Sequence, residues 1–128
     1  MRYMFLIWRD EERWAGVSEQ EQEAIRRKAG EFTTSLPPGV YLGGGPLQSP
    51  RTAATVRLQS GKAVTTDGPF AETKEQFGGY NIVEVGSLDE AMAIAVRHPL
   101  VLLGYHSIEV RALREDPCVE DGPRPGDG

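Results

Sequence analysis

The run Arg2-Tyr3-Met4-Phe5-Leu6-Ile7-Trp8 restricts the fold more than any other segment, because as a strand it is apolar on both faces. Tyr3, Phe5 and Ile7 point one way and Met4, Leu6 and Trp8 the other, since successive strand side chains alternate. Such a strand has to be covered twice. A helix of the same chain can supply one cover; the other has to come from elsewhere.

The helices are announced by their first turns. Ser18-Glu19-Gln20-Glu21 reads as a capping box, in which a serine oxygen accepts from the backbone N–H three residues on. Ile25, Ala29, Phe32 and Leu36 follow at helical spacing, so a helix of about 18 residues is expected, ended by Pro37-Pro38-Gly39. Ser87-Leu88-Asp89-Glu90 repeats the device and opens a second helix that should run to about Arg97, where His98-Pro99 stops it. Between them, Val40-Tyr41-Leu42 begins a strand that Gly43-Gly44-Gly45-Pro46 interrupts, a sign of a bulge, a bend or a close backbone approach. Residues 53–59 and 62–66 flank Ser60-Gly61 and predict a hairpin with a two-residue turn. Residues 80–85 and the alternating Ser107-Ile108-Glu109-Val110-Arg111-Ala112-Leu113 complete the strands.

Setting the hairpin aside, the order is strand, helix, strand, strand, helix, strand. That is the split βαβ order of a ferredoxin-like α+β domain: a four-stranded antiparallel sheet with both helices on one face. The other face carries Met4, Leu6 and Trp8, and the same face of a second subunit is its expected cover, giving a homodimer in which two sheets enclose a barrel-like space.

A chain of 128 residues fits one such domain, assigned to residues 1–115, and the Pro, Gly and acid-rich residues 116–128 read as a mobile tail. With no apolar run near the ~20 residues of a membrane span and no secretory leader pattern, a cytoplasmic location and no membrane partner are expected. The net charge of −5 argues against nucleic acid, whose phosphates are held by clustered Lys and Arg. Cys118 is the single cysteine, which excludes an internal disulfide. There is no P-loop, dinucleotide fingerprint, zinc spacing or nucleophile elbow, so neither a cofactor nor a metal is expected.

The stretch from Thr66 to Tyr80 puts an Asp67-Gly68-Pro69-Phe70 turn, a short polar segment and Gly78-Gly79 in fixed order ahead of a strand. It resembles the signature of the DGPF group within the YCII-related proteins, with Ile108-Glu109-Val110-Arg111 as a weaker second match. Asp121-Gly122-Pro123 repeats three of the letters without a preceding strand, so the likeness lies in the context. The resemblance implies a ferredoxin-like fold, pairing into a dimeric α/β barrel, and an activity that is mostly unassigned. For the broader YCII type it implies a His and an Asp acting together, and for the group a link to extracytoplasmic-function sigma factors without DNA contact.

Asp67 and His98 are therefore the catalytic candidates, with two readings each. Asp67 is a functional carboxylate or an Asx-turn residue capping backbone amides. His98 is a general base oriented by Asp67, or an imidazolium that meets the negative end of the helix before it. His106 stands at the entry to the last strand, at its rim. Phe70, Tyr80, Glu84, Glu109 and Arg111 are ligand-contact candidates; for Glu109 and Arg111 the alternatives are a solvated face or an intersubunit ion pair. The run Trp8-Arg9-Asp10-Glu11-Glu12-Arg13-Trp14 has the make-up of an aromatic-plus-charge binding loop, but Trp14 reads first as packing over the first helix. Two function classes remain open: a small cofactor-independent enzyme acting on a small organic acid or aromatic compound, and a non-catalytic ligand-binding or regulatory partner.

Overall fold

The structure, a computed structural model, describes residues 1–115; the tail expected over 116–128 lies outside the described residues. The first strand, β1 (Arg2–Asp10), alternates as its sequence requires, with Tyr3, Phe5, Ile7 and Arg9 buried and Met4, Leu6 and Trp8 half-buried. A short helix α1 (Glu11–Ala15) follows, then α2 (Glu19–Thr34), β2 (Tyr41–Pro46), a single 3₁₀ turn over Pro50–Thr52, and the hairpin β3 (Ala54–Gln59) and β4 (Lys62–Asp67). The described residues finish with β5 (Glu75–Glu84), α3 (Leu88–Ala95), a single-turn α4 (Pro99–Leu102) and β6 (His106–Ala112).

The main sheet has the order β2-β5-β1-β6, with β1 antiparallel to both β5 and β6 and β2 antiparallel to β5. This is the ferredoxin-like arrangement that the element order predicts. One face of the sheet packs on α2 and α3: Tyr3, Phe5 and Val83 meet Ala91, Ile94 and Ala95, with Phe32 and Leu36 against them. Full burial of a large apolar side chain such as Phe5 contributes about 1.5–3 kcal/mol. Both serine caps form, the Glu21 and Glu90 amides each donating to the serine Oγ at 3.2 Å.

Among the described residues, no helix covers the opposite face. Register places Leu6 opposite Tyr80 and Glu109, and Met4 opposite Ile82 and Arg111, so these side chains share one surface. Trp8 Nε1 donates to Glu109 Oε1 at 3.1 Å, and its ring lies 5.4 Å from that of Phe77.

The hairpin forms its own two-stranded sheet. Ser60 and Gly61 both take positive φ, 51° and 79°, the pattern of the turn that suits strand twist in a two-residue loop. Beyond the turn the hairpin stands out from the domain, with Val56 65% and Leu58 75% exposed.

Two boundaries differ from the sequence reading. Strand β5 starts at Glu75, five residues before Tyr80, because Gly78-Gly79 lie inside the strand as an irregularity and do not open it. Helix α3 ends at Ala95, and His98-Pro99 starts α4 as well as closing the preceding segment.

Candidate active site

Among the described residues, four polar ones are buried on the helix-bearing side of the molecule: Arg9, Gln76, Asn81 and His98. Three of them, Arg9, Asn81 and His98, join His106 and Trp14 in the wall of one cavity of about 150 Å³ beneath α2. Each is set by its element. Arg9 continues the buried parity of β1 after Tyr3, Phe5 and Ile7; Asn81 shares the buried face of β5 with Val83; His106 opens β6; His98 precedes α4.

His98 is 1% exposed. Its Nδ1 accepts from the Leu100 N–H at 3.3 Å and so carries no proton, which leaves Nε2–H to donate to Asn81 Oδ1 at 3.2 Å. Asn81 Nδ2 in turn donates to the Tyr80 carbonyl at 2.8 Å, fixing the amide. The Phe32 ring packs 5.0 Å away, and burial lowers the imidazole pKa from 6.5 to about 4. His98 is thus a neutral acceptor at the start of α4, which corrects the expectation of an imidazolium at a helix C-terminus. The polarity is reversed because the ring is buried and an amide hydrogen points at it.

Arg9 lies beside His98 and His106 under different constraints. Its Nε donates to Glu11 Oε1 at 2.8 Å, and Nη2 approaches the same oxygen at 2.8 Å. The guanidinium also lies over the Trp14 ring, 5.4 Å from its centroid. Room for it is made by Gly78, where a Cβ would stand 3.4–3.5 Å from Arg9 atoms, so any long side chain there would displace the arginine. That accounts for the first glycine of Gly78-Gly79. The second packs against β2, with a Cβ at Gly79 only 3.0 Å from the Gly45 carbonyl.

His106 faces Arg9 across the β1–β6 ladder. The edge of Trp14 packs on its ring at 5.0 Å. Its Nδ1 is buried and has no hydrogen-bond partner among the described residues. Burial, then the charge of Arg9, then His98 lower its pKa from 6.5 to about 4. His106 is therefore neutral at pH 7 with an unsatisfied ring nitrogen, a costly arrangement unless something else meets it.

Asp67 is not brought to His98. It ends β4, is exposed, and its carboxylate makes no hydrogen bond or ion pair among the described residues. Nor does it cap its turn. The turn is held by the Gly68 N–H donating to the Ala53 carbonyl at 2.7 Å and by Thr55 Oγ1 donating to the Gly68 carbonyl at 2.9 Å, which replaces the expected Asx turn. Asp67 lines a wider, open cleft of about 1020 Å³ that shares Arg9, Trp14 and Arg26 with the inner cavity. The expected dyad is thus separated into an inner imidazole and an outer carboxylate, because both nitrogens of His98 are engaged elsewhere.

The remaining candidates lie elsewhere. Tyr80, Glu84, Glu109 and Arg111 share the helix-free face of the sheet. Phe70 is 75% exposed beside the hairpin, with Arg57 Cζ 4.8 Å above its ring and Arg57 Nη2 donating to its carbonyl at 2.7 Å. None of these five lines the inner cavity. Trp14 packs as expected, 5% exposed, and also forms part of the cavity wall.

Sequence reasoning met Arg9 only within the run from Trp8 to Trp14 and passed over Asn81. The signal was there: each is a polar residue at a strand position whose parity assigns it to the core, and buried polar residues are the informative exceptions. No group of three or more His, Cys, Asp or Glu side chains is arranged to hold a metal ion among the described residues, and no helix among them is long and apolar enough to cross a membrane.

Among solved structures the chain is similar to 5-chloro-2-hydroxyhydroquinone dehydrochlorinase from Burkholderia phenoliruptrix, determined with 2,5-dihydroxybenzoquinone, at a TM-score of 0.48 and 17% identity, covering 89% of this chain and 94% of that one. An uncharacterized protein of Rhizobium meliloti (strain 1021) is 36% identical over 96 residues, which is 74% of this chain and 77% of the relative. The family model for the YCII-related domain matches residues 1–115, and the chain belongs to the YCII-related family.

Proposed function

We propose that the protein is a homodimeric enzyme that performs acid–base chemistry on a small organic compound held in the inner cavity, with His106 as the proton acceptor. The observation that carries this reading is the buried, unpartnered Nδ1 of His106 beside Arg9. A neutral imidazole whose nitrogen has no partner in the protein is available to a ligand proton. His98, by contrast, is held in one tautomer by Asn81 and Leu100 and acts as a fixed wall. Asp67 stands in the outer cleft, where it meets what enters.

The helix-free face supports the homodimer. Met4, Leu6 and Trp8 share it with Tyr80, Ile82, Glu109 and Arg111, and a two-fold partner would bury the apolar residues while pairing Glu109 and Arg111 across the axis. Leu6→Arg is expected to convert the dimer to a monomer in sedimentation. A folded wild-type monomer at low micromolar concentration contradicts the assignment.

The enzymatic reading is tested by proton exchange. Small organic acids that raise the melting temperature are incubated with the protein in D₂O, and loss of carbon-bound hydrogen is followed by NMR. Exchange that disappears in His106→Asn while binding persists supports the proposal. Binding without exchange for every compound favours the regulatory, non-catalytic reading instead.

A further inference from the structure

Resting on the reading of the inner cavity as the site, we propose that its ligand is a ring-sized organic monoanion whose acid group is directed inward, between Arg9 and His106.

Size comes first. A cavity of about 150 Å³ is that of a single six-membered ring, the volume at which a buried protein cavity takes up benzene. Ile7, Trp14 and Leu100 give the wall apolar surface for such a ring, and Trp14 also offers an aromatic face already used by a cation.

Charge decides the orientation. The cations on the inner wall are Arg9 of β1 and Arg26 of α2. Arg9 is tied at Nε and Nη2 to a single oxygen of Glu11, which leaves Nη1 and its hydrogens for a second acceptor. Arg26 Nη2 donates to Gln22 Oε1 at a longer 3.3 Å. The outer cleft adds Arg51 to the two guanidiniums that it shares with the inner cavity, against the four carboxylates of Glu11, Glu12, Asp67 and Glu72. An acid group in the inner cavity therefore meets guanidinium, and a second one left in the cleft meets carboxylates. One negative charge fits; two conflict.

The groups that face His106 are Arg9 from β1, with Glu11 of α1 beyond it; His98 from the start of α4; and, around the same cavity, Arg26 from α2 and Tyr41 from β2. An anion seated among them offsets the positive charge of Arg9 and accepts from His106 Nδ1 once that nitrogen carries a proton. Protonation of His106 then becomes easier, and binding takes up a proton from solvent as pH falls toward the imidazole's range.

The probes are benzoate, its neutral isostere benzamide, and the dianion phthalate, titrated into the full chain with imidazole and indole resonances followed by NMR. Benzoate is expected to bind at least ten-fold more tightly than either of the others, to shift Trp14 and His106, and to raise the His106 titration midpoint. Arg9→Met is expected to reduce benzoate to the level of benzamide, with the spectrum of the free variant reporting that it is folded. Benzamide binding as tightly as benzoate while shifting the same cavity resonances would overturn the anion class and leave the cavity as the site. If none of the three probes moves a cavity resonance at millimolar concentration, both the class and the underlying site assignment fail.

Discussion

Arg9 of β1 and His106 of β6 are direct partners in the antiparallel ladder, both on the face of the sheet that carries the helices. A permanent cation is thereby set beside an imidazole in the wall of one cavity. Burial first, and the charge of Arg9 second, hold His106 neutral at pH 7.

Replacing the cation tests the second cause. In Arg9→Met the His106 midpoint is expected to rise from about 4, because one of the groups that lowers it is gone. It should stay below 6.5, since burial is the larger cause and remains. Histidine NMR titration of the variant measures both limits, and an unchanged midpoint means that the two side chains do not feel one another.

Stability should fall as pH drops from about 6.5 to about 4. His98 and His106 have folded-state pKa values of about 4, below the 6.5 of the unfolded chain. The unfolded state therefore binds protons first, and the stability present above pH 6.5 is lost through that window. The slope is at most about 1.4 kcal/mol per pH unit for each imidazole. Denaturant titrations at several pH values should give a shallower slope for His98→Asn than for the wild type.

Gly44 should be the least replaceable glycine of β2. Its φ is +151°, and a Cβ would stand 2.1 Å from the Tyr80 carbonyl, which is backbone and cannot swing aside. Gly44→Ala is expected to cost about 3 kcal/mol or more, through strain and a forced shift of β2 against β5. At Gly45, where a Cβ would meet nothing within 4 Å, the same change should cost less than about 1 kcal/mol. Equal denaturation midpoints for the two variants would contradict the tight β2–β5 approach.

The fold was legible because its strongest signals are local. The two-sided apolar β1 and the serine caps at Ser18 and Ser87 state period, direction and boundary within a few residues. The short helices α1 and α4 were not, since 5 and 4 residues hold no full apolar period. At the site, Asp67 and His98 were visible as residue types, but their separation depends on how β4 and α4 sit in three dimensions. The pairing of His98 with Asn81, 17 positions away, leaves no mark on either local pattern. Gly78 stood out as part of a motif, but its reason, space for the Arg9 guanidinium, lies on another strand.

The most direct test of the account is a ¹⁵N titration of the two imidazoles in the wild-type protein from pH 8 to pH 3.5. Both rings are expected to be neutral at pH 7, with His98 protonated only on Nε2, and both midpoints should fall near 4. The Asp67→Asn variant should leave the His98 curve where it is, because Asp67 lies in the outer cleft. A His98 midpoint at or above 6.5 that falls on Asp67→Asn would contradict the account and restore an Asp67–His98 dyad.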